Sequence, residues 1–186
     1  MRSRSRLFFV AFAVAMAGAV ALAQAQAQAP AAGNPISGGS KMMFGMVSNF
    51  LTRSADKVSE EMYAFKPTPE VRSFGQILGH VAEENYGICA AAMGEKPPVE
   101  GIEKSKTTKA DLVKALADSV AYCQKAYVNL TDANAGEEMP FFGRKMARVV
   151  ILDFNTAHDY EHYGNLVTYM RLKGIVPPSS EKPSGN

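Results

Sequence analysis

The chain has 186 residues, with 20 Lys and Arg against 18 Asp and Glu, three histidines, two cysteines and no tryptophan. Arg2, Arg4 and Arg6 all fall at the very start, and without them 17 basic residues face 18 acidic ones. No excess of positive charge then remains to attract a phosphate backbone, so nucleic-acid binding is disfavoured, and the roughly 160 residues beyond this start suit one domain with one core.

The three arginines lead into an apolar or small-residue run from Leu7 to Ala23, closed by the small-x-small triplet Ala21-Leu22-Ala23. This pattern predicts a secretory signal peptide over 1–23 and export to a bacterial periplasm or beyond. The run is short for a transmembrane helix, so no permanent membrane span is expected. The residue that follows the expected cleavage site is Gln24 rather than cysteine, which argues against a lipoprotein anchor. Residues 24–39 are rich in Gln, Ala, Gly and Pro and read as a low-complexity linker.

From Ser40 onward apolar residues recur at helical spacing in four blocks. The first runs from about Ser40 to Tyr63 and is stopped by Lys66-Pro67-Thr68-Pro69, because proline lacks the amide donor and restricts its neighbour. The second opens at Ser73, where Ser73-Phe74-Gly75-Gln76 fits a capping box, and runs through His80 to Gly94. The third opens at Thr108 and reaches about Leu130. The fourth runs from about Gly143 to Lys173, with Gly174 and Pro177-Pro178 as stops. No segment sustains period-two alternation, so strands are not needed, and an all-α four-helix bundle over 40–180 is predicted, followed by a disordered tail at 181–186. The connection Glu95–Thr107 reaches roughly 43 Å if extended, longer than a 22-residue helix of about 33 Å. It can cross the whole bundle and bring the second and third helices parallel.

The three histidines fall on two of these helices: His80 on the second, and His158 and His162 on the fourth, one turn apart and on one face. Three neutral imidazoles converging from two helices make half a coordination sphere for a divalent metal and leave positions open to water or substrate. Asn155, Asn165 and Tyr169 share the histidine side of the fourth helix and are candidates for orienting a substrate. Glu84, one turn beyond His80, is the same-face acid on the second helix and the candidate for proton transfer. A lone inward histidine is more often a satisfied core residue than a ligand, and an i, i+4 pair also arises by chance, so both readings stand at this point.

The segments Val71-Arg72-Ser73-Phe74-Gly75-Gln76-Ile77-Leu78-Gly79-His80, His158-Asp159-Tyr160-Glu161-His162-Tyr163-Gly164-Asn165 and Tyr169 to Ser180 resemble the DinB-like (DinB/YfiT) superfamily of small four-helix bundles, over roughly Ser40 to Ser180. The resemblance implies a long crossover between the second and third helices. It also implies a divalent metal, often zinc or nickel, held at the positions of His80, His158 and His162; iron and manganese suit three imidazoles as well. Among its characterised members are thiol-cofactor-dependent S-transferases and isomerases, in which the metal binds a thiolate. The resulting expectation is a metal-dependent enzyme of hydrolase or transferase type acting on an unidentified small molecule. The alternative is a non-catalytic metal- or ligand-binding bundle. A haem-binding bundle is a third class, opposed by the lack of a C-x-x-C-H motif. Helix bundles of this size often pair through an apolar face, which leaves a homodimer open.

Cys89 lies nine residues beyond His80, about 180° away on an α-helix, and is not placed to be a ligand. Cys123 lies about as far into the third helix as Cys89 lies into the second. If those helices run parallel the sulfurs are level, and a disulfide fits an oxidising compartment. Two separate buried thiols are the other reading.

Overall fold

The computed structural model describes residues 33–182. The expected signal peptide at 1–23 and most of the expected linker lie outside the described residues. The elements in chain order are α1 (Pro35–Lys57), a 3-10 turn (Glu60–Ala64), α2 (Phe74–Met93), the short α3 (Ile102–Ser105), α4 (Lys109–Asn129), β1 (Glu138–Phe141), β2 (Arg144–Ala147), α5 (Arg148–Leu172) and a second 3-10 turn (Pro178–Ser180). The all-α class holds, with a small hairpin added.

The four long helices form a square in which α2 contacts α4 and α5, and α1 contacts the same two from the opposite corner. Helices α2 and α4 run parallel. Gly75 near the start of α2 lies against Leu112 near the start of α4, and Cys89 and Cys123, further along each, are disulfide-bonded with Cα atoms 5.3 Å apart. The segment between them therefore crosses the bundle, as its length allows, and α3 is the helical part of that crossover. Helices α1 and α5 are also parallel: the Ser40 hydroxyl donates to Asp153, and Phe50 stacks on Tyr163 further along. The core fills the centre with Phe44, Leu51, Phe74, Leu78, Leu112, Leu116, Ile151, Leu152, Leu166 and Met170.

The starts of α2 and α4 follow local chemistry. Ser73 Oγ accepts from the Gln76 amide at 3.2 Å while Gln76 Oε1 accepts from the Ser73 amide at 2.8 Å, completing the capping box. Thr108 caps α4 through the Asp111 amide at 3.1 Å.

Three boundaries differ from the sequence expectation. Helix α1 begins at Pro35, inside the expected linker, because its first amides are held from far away: Asp132 accepts from Ile36 N and Ser37 N, and Asn34 Oδ1 accepts from Asp132 N. Those bonds, with burial opposing them, hold the Asp132 carboxyl below the usual carboxylate range. A cap supplied across the fold leaves no mark in the neighbouring sequence. The helix ends at Lys57, and the residues expected to extend it turn away as the 3-10 segment.

The hairpin replaces the expected start of the fourth helix. Its strands are antiparallel, with Phe141 opposite Arg144. Phe142 and Gly143 between them both take positive φ, 47° and 71°, which suits a two-residue hairpin turn with the twist of its strands. Four residues per strand are too few to register as an alternation. At the other end, Glu181, the first residue of the expected tail, pairs with Arg53 and Lys57 of α1.

Candidate metal centre

Helices α2 and α5 are antiparallel neighbours, and their facing sides bring the three histidines together. His158 Nε2 lies 3.2 Å from His80 Nε2 and 3.1 Å from His162 Nε2. One ligand nitrogen from each of the three falls within a 4.8 Å group. Three nitrogens bound to one tetrahedral zinc at about 2.0–2.1 Å would lie about 3.4 Å apart, so the observed spacing fits such an ion. His162 is buried and His80 and His158 are half-buried.

Burial and neighbouring charge favour the ligating form of His158 and His162. Burial first, then the neighbouring His162, His80 and Arg72, push His158 down to about 4. Burial also lowers His162, with His80 adding to the effect. At neutral pH both imidazoles are unprotonated. Their Nδ1 atoms are buried without a hydrogen-bond partner. Neutral rings whose Nε2 atoms crowd one point are poorly satisfied by each other, and a cation at that point gives every Nε2 lone pair a partner.

His80 is held differently. Its Nδ1 lies 3.0 Å from Glu103 Oε2, and the other oxygen of Glu103 accepts from Arg72 Nε at 2.7 Å. Burial acts to raise the Glu103 carboxyl, but the hydrogen bond and charge of Arg72, with those of His80, outweigh it and hold it below the usual range. Glu103 belongs to α3 in the crossover. Glu83, adjacent to Glu84 on α2, accepts from the Gly101 and Glu103 amides, each at 3.0 Å.

The other candidate residues divide. Tyr169 and Asn165 line a cleft of about 510 Å³ together with Arg72, Glu161 and His162, and the Tyr169 hydroxyl donates to the Arg72 carbonyl at 2.9 Å. Asn155 lies in the core instead, donating to Asn85 Oδ1 at 3.0 Å. Glu84 is half-buried and outside the three-histidine group; the carboxylate bonded to the cluster is Glu103. Cys89 and Cys123 are joined to each other, away from the histidines. Arg72, Glu83 and Glu103 escaped the sequence reading. The crossover's length announced that it can cross the bundle, but not which of its acids would meet His80.

Asp159, next to His158, is fully buried with neither carboxylate oxygen hydrogen-bonded, and burial raises its pKa well above the ordinary value. Its place in the bundle interior disfavours the charged form.

The family model of the DinB superfamily matches residues 48–166. The curated protein YjoA of Bacillus subtilis (strain 168), itself uncharacterised, is 27% identical over 141 residues, covering 69% of this chain and 89% of that protein. Among solved structures, a DinB-like protein from Bacillus cereus ATCC 10987 superposes with a TM-score of 0.66 at 18% identity, covering 75% of this chain and 94% of that one. YjoA itself superposes with a TM-score of 0.62 at 22% identity, over 78% and 99%. A mycothiol-dependent maleylpyruvate isomerase shares the fold with a TM-score of 0.58 at 16% identity, over 70% of this chain and 60% of its own. With a superfamily match that takes in all of α2 and α4, parts of α1 and α5, and His80, His158 and His162 alike, this chain belongs to the DinB superfamily.

Proposed function

We propose that this protein binds one divalent metal ion through His80, His158 and His162, with zinc or nickel the first candidates, and that it is a metal-dependent enzyme of hydrolase or transferase type. The observation that carries the reading is the convergence of three Nε2 atoms on one point, at 3.1 and 3.2 Å. A bound ion would supply Lewis-acid chemistry, activating water or taking an anionic ligand directly. The cleft beside His162 gives a small molecule access, with Arg72 and Asn165 on its wall to orient it. Glu84 keeps the proton-transfer role read from its place one turn beyond His80. The fold-level likeness to a mycothiol-dependent isomerase makes small thiols the first ligands to test.

The protein is further assigned to an oxidising compartment outside the cytoplasm. The charged and apolar start of the chain supports this, as does the bonded pair Cys89–Cys123.

Elemental analysis of natively purified protein, beside His80→Ala, His158→Ala and His162→Ala, tests the site. Near-stoichiometric metal in the wild type and its loss in each folded variant is the expected result; metal retained in all three variants overturns it. A protein that loses stability on metal removal and turns over none of a panel of esters, amides and thiol conjugates is the non-catalytic binder instead.

A further inference from the structure

The crossover is fastened to α2 at three points, all within one turn of His80. Glu83 accepts from two backbone amides of the crossover, Gly101 N and Glu103 N. Gly79, the residue before His80, has no side chain to hold the crossover off: a Cβ there would lie 3.1 Å from Glu103 Cα and 3.2 Å from Leu112 Cδ2. Glu103 itself spans His80 and Arg72 with its two oxygens. A carboxylate only accepts hydrogen bonds, so at Nδ1 of His80 it selects the tautomer with the proton there. That tautomer leaves the lone pair on Nε2, the atom that faces His158. His158 and His162 have no such partner on Nδ1.

We propose that the crossover is part of the three-histidine site: Glu103 is a positioning residue that fixes the tautomer and ring orientation of His80, and Glu83 with the bare Gly79 holds Glu103 in register. This rests on the metal reading only for its effect on affinity, since a lone pair on Nε2 is what a cation needs. Hydrogen-bonded carboxylates behind ligating histidines raise metal affinity about 10–100-fold. The same linkage runs in reverse, so an ion at the histidines tightens the crossover.

The test uses nitrogen correlation spectra of the 15N-labelled, metal-free protein, with His80 assigned through His80→Gln, followed by zinc competition titrations. In the wild type His80 carries its proton on Nδ1. Glu103→Leu abolishes that preference, Glu103→Gln restores it because the carboxamide oxygen still accepts, and Lys104→Ala leaves it untouched. Gly79→Ala, which pushes on the crossover backbone at Glu103 while leaving its carboxylate chemically intact, also weakens it and serves if Glu103→Leu does not fold. Zinc binds about 10–100-fold more weakly to Glu103→Leu and recovers in Glu103→Gln. A wild-type His80 protonated on Nε2, a tautomer unchanged in both Glu103→Leu and Gly79→Ala, or equal zinc affinity in all variants overturns the proposal. Failure of zinc, nickel, iron and manganese to bind a wild type that shows the tautomer pattern removes the metal reading and leaves the positioning role standing.

Discussion

Helices α2 and α5 supply the same cluster from opposite sides, but they are built to different standards of polar satisfaction. Helix α2 has a complete capping box, a disulfide to α4 and a carboxylate on the back of its histidine. Among the described residues, seven buried side-chain polar atoms lack a partner, and five of them lie on α5 between Asn155 and His162. Strain of this kind is normally sparse in a folded protein, and where it concentrates it marks a functional site or a ligand. The contrast makes α2, capped and disulfide-bonded, the fixed wall of the cluster, and α5 the helix on which buried polar groups are left without partners.

The largest expected effect breaks the fixed wall. The disulfide closes a 34-residue separation, for which loop entropy predicts about 4 kcal/mol. Cys89→Ser with Cys123→Ser is expected to lower the urea unfolding free energy by that order, and mass spectrometry after alkylation with and without reduction reports the bond itself. Next comes the metal: zinc at 100 times its Kd is expected to raise the unfolding free energy by about 2.7 kcal/mol, and His158→Ala to abolish that increment. An undiminished increment in His158→Ala would place the ion elsewhere.

The third effect concerns Asp159. Removing a buried acid that no hydrogen bond satisfies is expected to stabilise the protein by about 1–3 kcal/mol, so Asp159→Leu should shift the urea midpoint upward. Loss of stability would instead reveal a partner for the carboxyl.

The last effect is one of pH, in metal-free protein, where two opposing titrations partly cancel. His158 and His162 are lowered in the folded state, so the unfolded chain takes up protons first. Stability therefore falls as pH drops from about 6.5 toward the His158 value of about 4. Asp159 is raised, so its contribution is complete below the unfolded carboxyl pKa and is lost as pH rises above it. The two oppose each other in the window between. Replacing Asp159 by Leu should leave a stability that rises steadily with pH across that window, measured by chemical unfolding at a series of pH values.

Much of this was legible in the sequence wherever the signal was local or periodic. The i, i+4 pair of His158 and His162, the capping box at Ser73 and the reach of the Glu95–Thr107 connection all follow from neighbouring residues and helix geometry. What escaped was supplied across the chain. Asp132 caps a helix 95 residues away, so Pro35 to Gly39 looked like linker. Glu103 meets His80 from 23 residues further on, whereas helix angle could rank only acids on the same helix and so favoured Glu84. The hairpin hid for another reason: its strands are too short for a period, and its only strong marker is the Phe142-Gly143 turn.

The covalent bond between Cys89 and Cys123 also closes a ring around the whole crossover, Glu103 included. When the bundle loosens, that ring limits how far Glu103 can wander from the helix bearing His80. The carboxylate is thus kept at high effective concentration toward its histidine, and opening of the cleft between α2 and α5 need not undo the His80 support. An oxidised protein would recover a competent His80 quickly after each such opening, while a reduced one would have to search for it.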